Sequence, residues 1–339
     1  MNNMGLSEIM DRSIDVFRKY FKTIVLFNLG YGIVSFFSMV IIIILVSIVV
    51  DIISGVLYTG GFLTAVNSTV VLAVLIVILI IMFIAALFLA SSSGMIKITQ
   101  QEFGGTKVMA YNAIGASFKS ILKIFAILFI ALVLFVPVGA IFWGIIHVVY
   151  KSYIYSFLFT GQYKVRDIQL SIILIIIALA LTFVVLIYIT LFSFSLQATV
   201  IENKGPISAV KRSFNLVKNN FWRILGGITL IILTVAVIRL SLNSLIAFIS
   251  TIVFLVMKFL SISQSYTKFI SHIFAISNYP ISIISLMVIS PITSIMMTFL
   301  YFNQRFNREG YDLVLKVREA RISKERKQLS EGVQKDGCI

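Results

Sequence analysis

Two carboxylates, Glu102 and Glu202, stand 100 residues apart, each three residues ahead of a glycine, Gly105 or Gly205. An acid recurring at equivalent places suits proton sharing or cation binding if the fold brings the pair together, because adjacent carboxylates do not both stay ionised unaided. The same residues also read as structural groups. A carboxylate near a helix N-terminus is stabilised by the helix dipole, and Lys107, Lys204 and Arg212 lie close enough in sequence to pair with them. Arg239 is the one charge inside a long apolar stretch, 18 residues beyond Phe221. That is about 27 Å along a straight helix, which places it at the outer interface, where a long side chain snorkels to water. Buried instead, with Asn243 and Ser244 beside it, it would grip an anionic substrate.

Arg212 and Arg223 belong to a basic group with Lys204, Lys211 and Lys218. Each such residue near an anionic leaflet contributes on the order of 1 kcal/mol, so lipid head groups are the expected contact. A specific lipid or protein site is the alternative.

Other chemistry is sparse. The two histidines, His147 and His272, sit in no metal-binding spacing, and the single cysteine, Cys338, excludes an intramolecular disulfide or a cysteine-built zinc site. No phosphate-binding loop, dinucleotide fingerprint or nucleophile elbow occurs. Without a nucleophile, base and orienting group, no enzymatic activity is expected, and no cofactor or metal.

The elements that position these residues are membrane helices. The chain is 60% hydrophobic and only 12% charged, whereas about 25% of residues are charged in soluble domains. Six apolar stretches reach the roughly 20 residues that a bilayer crossing needs: about 24–50, 69–91, 124–149, 168–195, 221–240 and 279–303. The net charge of +15 reflects orientation before it suggests nucleic acid, for which no role is expected. With both termini and the second and fourth gaps in the cytoplasm, 22 of the 28 Lys and Arg residues lie inside. That bias predicts a multi-pass protein of the cytoplasmic membrane with N- and C-termini cytoplasmic. The apolar run 242–259 would reverse the C-terminus as a seventh span, so it is expected to be an outer, re-entrant or surface-lying helix.

The chain also repeats itself every 100 residues. Gly5, Gly105 and Gly205 are in register, as are Thr99 with Thr199, and Ile24 with Ile124 and Ile224. Arg12–Arg18 aligns with Arg212–Lys218, and the middle copy is more diverged. A long internal repeat means one supersecondary unit reused. The expected unit is an amphipathic interfacial helix followed by a helical hairpin, in repeats of about 1–95, 96–195 and 196–304, with a cytoplasmic tail over 305–339. In the first copy Leu6, Met10, Ile14, Phe17 and Phe21 form an apolar stripe opposite Glu8, Asp11, Arg12, Asp15 and Lys19, as suits a helix lying in the interface. In the third, Ile207, Val210, Phe214 and Val217 oppose Lys211, Arg212, Asn215 and Lys218. Trp222 anchors the inner end of a span, and Trp143, Tyr150, Tyr153 and Tyr155 mark an outer belt. Tyr311, Leu313, Val314, Val317 and Ala320 predict a short tail helix, and 323–339 reads as disordered.

Two segments carry a family resemblance. Glu202-Asn203-Lys204-Gly205-Pro206, continuing through Ser213 to Asn220-Phe221-Trp222-Arg223-Ile224-Leu225, and the exit Tyr301-Phe302-Asn303-Gln304-Arg305-Phe306-Asn307-Arg308-Glu309-Gly310 are similar to motifs of the bacterial glycerophosphoryl diester phosphodiesterase membrane-domain family. The resemblance covers about residues 1–320 and implies membrane architecture. It carries no phosphodiesterase activity over, because that enzyme needs a barrel of roughly 250 residues and 36 residues follow Asn303.

The expected function is therefore that of a non-enzymatic scaffold or accessory subunit, with the anionic bilayer and a membrane protein as partners. The alternative is a transporter with its site at the repeat interface. Glu102, Glu202, Arg212, Arg223 and Arg239 are the candidate functional residues.

Overall fold

The computed structural model describes residues 5–59, 65–103, 107–160, 165–260, 265–310 and 317. The described chain is helical, and five helical segments are long and apolar enough to cross a membrane: Phe21–Ile48, Val74–Phe103, Ala110–Val149, Ser171–Ile201 and Phe221–Phe259. Each of the first five expected stretches falls on one of them. The sixth, 279–303, falls on a composite rod and is not among the five. The expected tail helix lies outside the described residues apart from Val317, as do 323–339 and Gly105.

The helices are α1 (Leu6–Lys19), α2 (Phe21–Thr59), α3 (Ala65–Thr99), α4 (Ala110–Thr160), α5 (Val165–Phe192), α6 (Ser195–Ile201), α7 (Pro206–Lys218), α8 (Phe221–Phe259), α9 (Tyr266–Ile284) and α10 (Ser290–Glu309). A 3-10 turn, Gln100–Phe103, follows α3, and a π turn, Ser285–Ile289, joins α9 to α10. Pro291, at the start of α10, gives a physical cause for that wide turn, since its ring cannot pack against a normally spaced preceding carbonyl.

Local sequence explains the helix starts. Gly5 and Gly205 take nearly the same extended conformation, φ −67° and ψ 163° against φ −68° and ψ 163°, immediately ahead of α1 and α7. Pro206 then fits the first helical position, where a missing N–H goes unneeded. α2 and α8 begin 200 residues apart and both run for 39 residues. The α2, α4 and α8 helices end at Thr59, Thr160 and Phe259, and their successors begin at Ala65, Val165 and Tyr266.

Three expectations change. The middle interfacial helix has no separate existence: α4 runs on for 51 residues, about 77 Å, because no proline and only the isolated Gly115 stands between Ala110 and Lys123. Residues 242–259 form no re-entrant or separate surface helix. They continue α8, since Arg239-Leu240-Ser241-Leu242-Asn243 contains neither glycine nor proline. In α1 the buried face is Ile9, Ser13, Val16 and Phe17, while Ile14 and Phe21 of the expected stripe stay exposed. The helix thus buries one face against protein and leaves the other exposed.

Burial recurs at several positions 100 residues apart. Ile24, Ile124 and Ile224 are buried, as are Ser13, Ala113 and Ser213, and Ile98, Ala198 and Thr298. Thr99 and Thr199 are both buried and both donate to the carbonyl four residues back, Met95 and Ser195. By contrast, Ile33, Phe36, Phe37, Ile41, Ile44 and Leu45 of α2 form a broad exposed apolar face. Such surface is stable only in an apolar solvent.

The chain divides into two units. The first comprises Met1–Phe36, Ser91–Phe118 and Gly226–Ile339. Here α1 packs along α10, Tyr31 meets Phe118 at 5.6 Å, and Ser294 donates to Ser92 at 3.2 Å. Gly94 lies under Phe27, so close that a Cβ there would overlap the ring and approach Ser117 Oγ to 2.8 Å. The second unit comprises Phe37–Ala90 and Lys119–Leu225. In it α7 packs on α5 and α6 around Ile127, Ala198, Ala209 and Val210, flanked by Phe192 and Phe214. The Tyr188 hydroxyl donates to the carbonyl of Ala131 across α5 and α4.

Candidate functional site

Both candidate carboxylates are engaged by basic partners. Glu202 caps the end of α6. Asn203 follows in the left-handed region, φ 52°, which asparagine tolerates better than other side-chain-bearing residues. That residue turns the chain, Gly205 leads into α7, and Ala209 N–H closes onto the Gly205 carbonyl at 2.8 Å. The reversal brings Lys204 Nζ within 2.8 Å of Glu202 Oε2. Arg212, one and a half turns into α7, places Nη2 at 3.1 Å and Nε at 3.2 Å from Oε1. The Glu202 and Arg212 side chains are 12% and 21% exposed, so water competes little. Two cations hold one anion, and the node keeps net positive charge.

Glu102 is paired differently. It lies in the 3-10 turn after α3, and its Oε2 accepts from Lys19 Nζ at 2.8 Å and from the Tyr20 hydroxyl at 3.3 Å. Both donors come from the end of α1, 82 and 83 residues earlier in the chain. Lys107, the neighbour expected from sequence, is not the partner that pairs with it. The bond and the charge of Glu102 raise the Lys19 ammonium above its ordinary value of 10.5. Lys19 is 58% exposed and Glu102 32%, so this pair is much wetter than the Glu202 node.

The next residue, Phe103, stacks on Phe302 at 3.9 Å and meets Phe299 edge-on at 5.0 Å. One short turn therefore ties α1 through Glu102 and α10 through Phe103. Tyr301, Phe302, Asn303, Gln304 and Phe306 are all buried. Arg305 bonds Glu309 at 3.1 Å and lies over the Tyr301 ring, and Gly310, φ 58°, ends the helix in the left-handed region that glycine accommodates. The two motifs singled out in the sequence are thus corners and packing surfaces.

The remaining candidates face outward. Arg223 and Arg239 are exposed and have no ion-pair partner among the described residues. Beside Arg223, Lys211 and Lys218 are exposed, with Ile207 at 77% and Trp222 at 72%. This mixture of ammonium, guanidinium, aliphatic and indole groups suits the zone where head groups meet acyl chains. Among the described residues, no three His, Cys, Asp or Glu side chains come together.

Sequence reasoning missed Ser213. Its hydroxyl donates to the Leu191 carbonyl at 2.6 Å and accepts from the Phe194 N–H at 3.2 Å, satisfying backbone groups freed where α5 gives way to α6. The register match of Ser13 with Ser213, both on the buried face of an otherwise amphipathic helix, was the available signal.

A family model described as a domain of unknown function, DUF7847, matches residues 116–302. Among curated proteins and among solved structures, nothing matches the chain.

Proposed function

From membership of this chain in the family described as domain of unknown function DUF7847, and from the geometry of its own residues, we propose a non-enzymatic scaffold or accessory subunit of a membrane complex. The observation that carries the reading is the occupation of both carboxylates: Lys204 and Arg212 hold Glu202, and Lys19 and Tyr20 hold Glu102. Groups so engaged brace helix corners, and a transport pathway needs polar groups free to exchange partners. The basic faces around α7 suit a cytoplasmic leaflet rich in anionic lipid.

The architecture belongs to the same proposal. The α9–π–α10 rod supplies a sixth span, three repeats of about 100 residues build the membrane domain, and both termini lie in the cytoplasm of a bacterial cell. The resemblance to the glycerophosphoryl diester phosphodiesterase membrane domain is part of this reading and is supported by the two motifs alone.

Reconstitution of the purified protein alone in liposomes tests it. The expected result is no saturable uptake of small anions or lipids, with activity of a complex recovered only when a co-purified membrane protein is restored. Saturable flux by the protein alone would establish the transporter instead. Cysteines placed at 107 and 211 are expected to label only from the cytoplasmic side, and those at 67, 164 and 268 from outside.

A further inference from the structure

α8 carries a single ionic residue between Arg223 and Lys258, and that residue is Arg239. In α2 the uncharged stretch runs from Lys22 to Asp51, and in α4 from Lys123 to Lys151. Counted in the same register, the outer edge of the apolar zone falls where α8 has Thr251, which is followed by further apolar residues to Met257. A hydrocarbon core of about 30 Å takes roughly 20 helical residues, which, centred between Arg223 and Thr251, are about 227–247. Arg239 then lies about 12 Å from one edge and 18 Å from the other. The continuation of α8 past residue 242 is what moves Arg239 from the interface, where the sequence alone placed it, to mid-depth.

A guanidinium at that depth is costly unless paired. Arg239 is exposed, and so are Ile232, Leu233, Val237 and Leu240 around it. The chain itself holds no acid that fits. Its carboxylates between the tails are Asp51, Glu102, Asp167 and Glu202, none of them inside an apolar stretch, and none follows until Glu309. A second copy therefore brings another Arg239 and no counter-charge. Head-group phosphates lie at the edges, more than a side chain's reach from the centre. Ala236 and Asn243, at i−3 and i+4, share a face with Arg239. The first is small enough for backbones to approach, and the second can hydrogen-bond across an interface.

We propose that Arg239 is the docking point for a transmembrane helix of another protein that carries a carboxylate at mid-membrane depth. This rests on the accessory-subunit reading and names the chemistry of its partner. The five donors of a guanidinium match a carboxylate in two-pronged fashion, and the pairing removes an unpaired charge from lipid on both sides.

The test uses the full chain in phosphatidylcholine vesicles, with a fluorescent donor on Cys338, its single cysteine. The probe is an acceptor-labelled poly-leucine peptide with one central Asp, compared with Asn and Leu versions. The Asp peptide is expected to associate about tenfold more tightly than the Leu peptide, the factor that 1.4 kcal/mol gives. Arg239→Leu is expected to abolish the preference, and Arg239→Glu to transfer it to a peptide with a central Lys, which also shows that the variant is folded. Equal association of the Asp and Leu peptides, or a preference that survives Arg239→Leu, overturns the proposal. A preference lost when the vesicles are made of phosphatidylglycerol assigns Arg239 to lipid phosphate and overturns it too. Flux by the protein alone is a separate result and bears on the accessory-subunit reading.

Discussion

The hydroxyl of Ser213 in α7 lies 2.6 Å from the carbonyl oxygen of Leu191, the penultimate residue of α5. The Ser213 hydroxyl oxygen in turn accepts the N–H of Phe194, so one side chain satisfies both sides of a helix break. Ser213→Ala leaves two buried backbone groups without partners, at about 1–3 kcal/mol each. A lowered melting temperature in detergent is the expected outcome, and Ser213→Thr is expected to recover part of it. An unchanged melting curve for the alanine variant would show that water replaces the hydroxyl.

Glu202 and Glu102 occupy the same register yet differ in what their loss does. Glu202→Ala strands a mostly enclosed Arg212 beside Lys204, with an expected cost on the order of 2 kcal/mol, between exposed and fully buried pairs. Glu102→Ala releases an exposed lysine into water and is expected to have a far smaller effect. Thermal unfolding of the two variants side by side checks the order.

The Lys19–Glu102 contact has a definite alkaline limit. Because folding raises the lysine above its usual 10.5, the stabilisation is complete below the unfolded value and is lost as pH climbs through the folded one. Wild type and Lys19→Met are expected to differ by a constant amount from pH 8 to 10 and to converge at higher pH. A difference that shrinks below pH 10 contradicts that direction.

Gly94 marks a close approach in which Phe27 occupies the space of a side chain. Phe27 is itself fully buried and stacked on Tyr31 at 5.8 Å, so it has little room to yield. Gly94→Ala is expected to cost about 1–3 kcal/mol, as overpacking does, and Gly94→Ala with Phe27→Leu to cost less than either change alone would suggest. Gly115→Ala, with nothing within 4 Å of its added carbon, serves as the neutral control.

Local patterns were legible in the sequence where their causes are local. Gly205 and Pro206 announce the start of α7, and Lys204 and Arg212 are near enough to Glu202 for their pairing to be anticipated. The partner of Glu102 was not legible, because Lys19 is 83 residues away and only the packing of α1 brings it near. The fusion of the middle surface helix into α4 was missed for another reason. The diverged middle copy is compatible with a free helix and with the first turns of a longer one, and only the absence of a proline distinguishes them. The composite sixth rod, with its prolines at 280 and 291, reads by hydropathy as one ordinary span.

The unbroken length of α2 and α4 sets a preference among membranes. Their uncharged stretches run to 28 and 27 residues, about 40 Å of helix, against a hydrocarbon core near 30 Å. In a thin bilayer they meet the mismatch by tilting or by thickening the lipid around them, at a fraction of a kcal/mol per ångström. The two helices accordingly fit a thick hydrocarbon core with less tilt than a thin one.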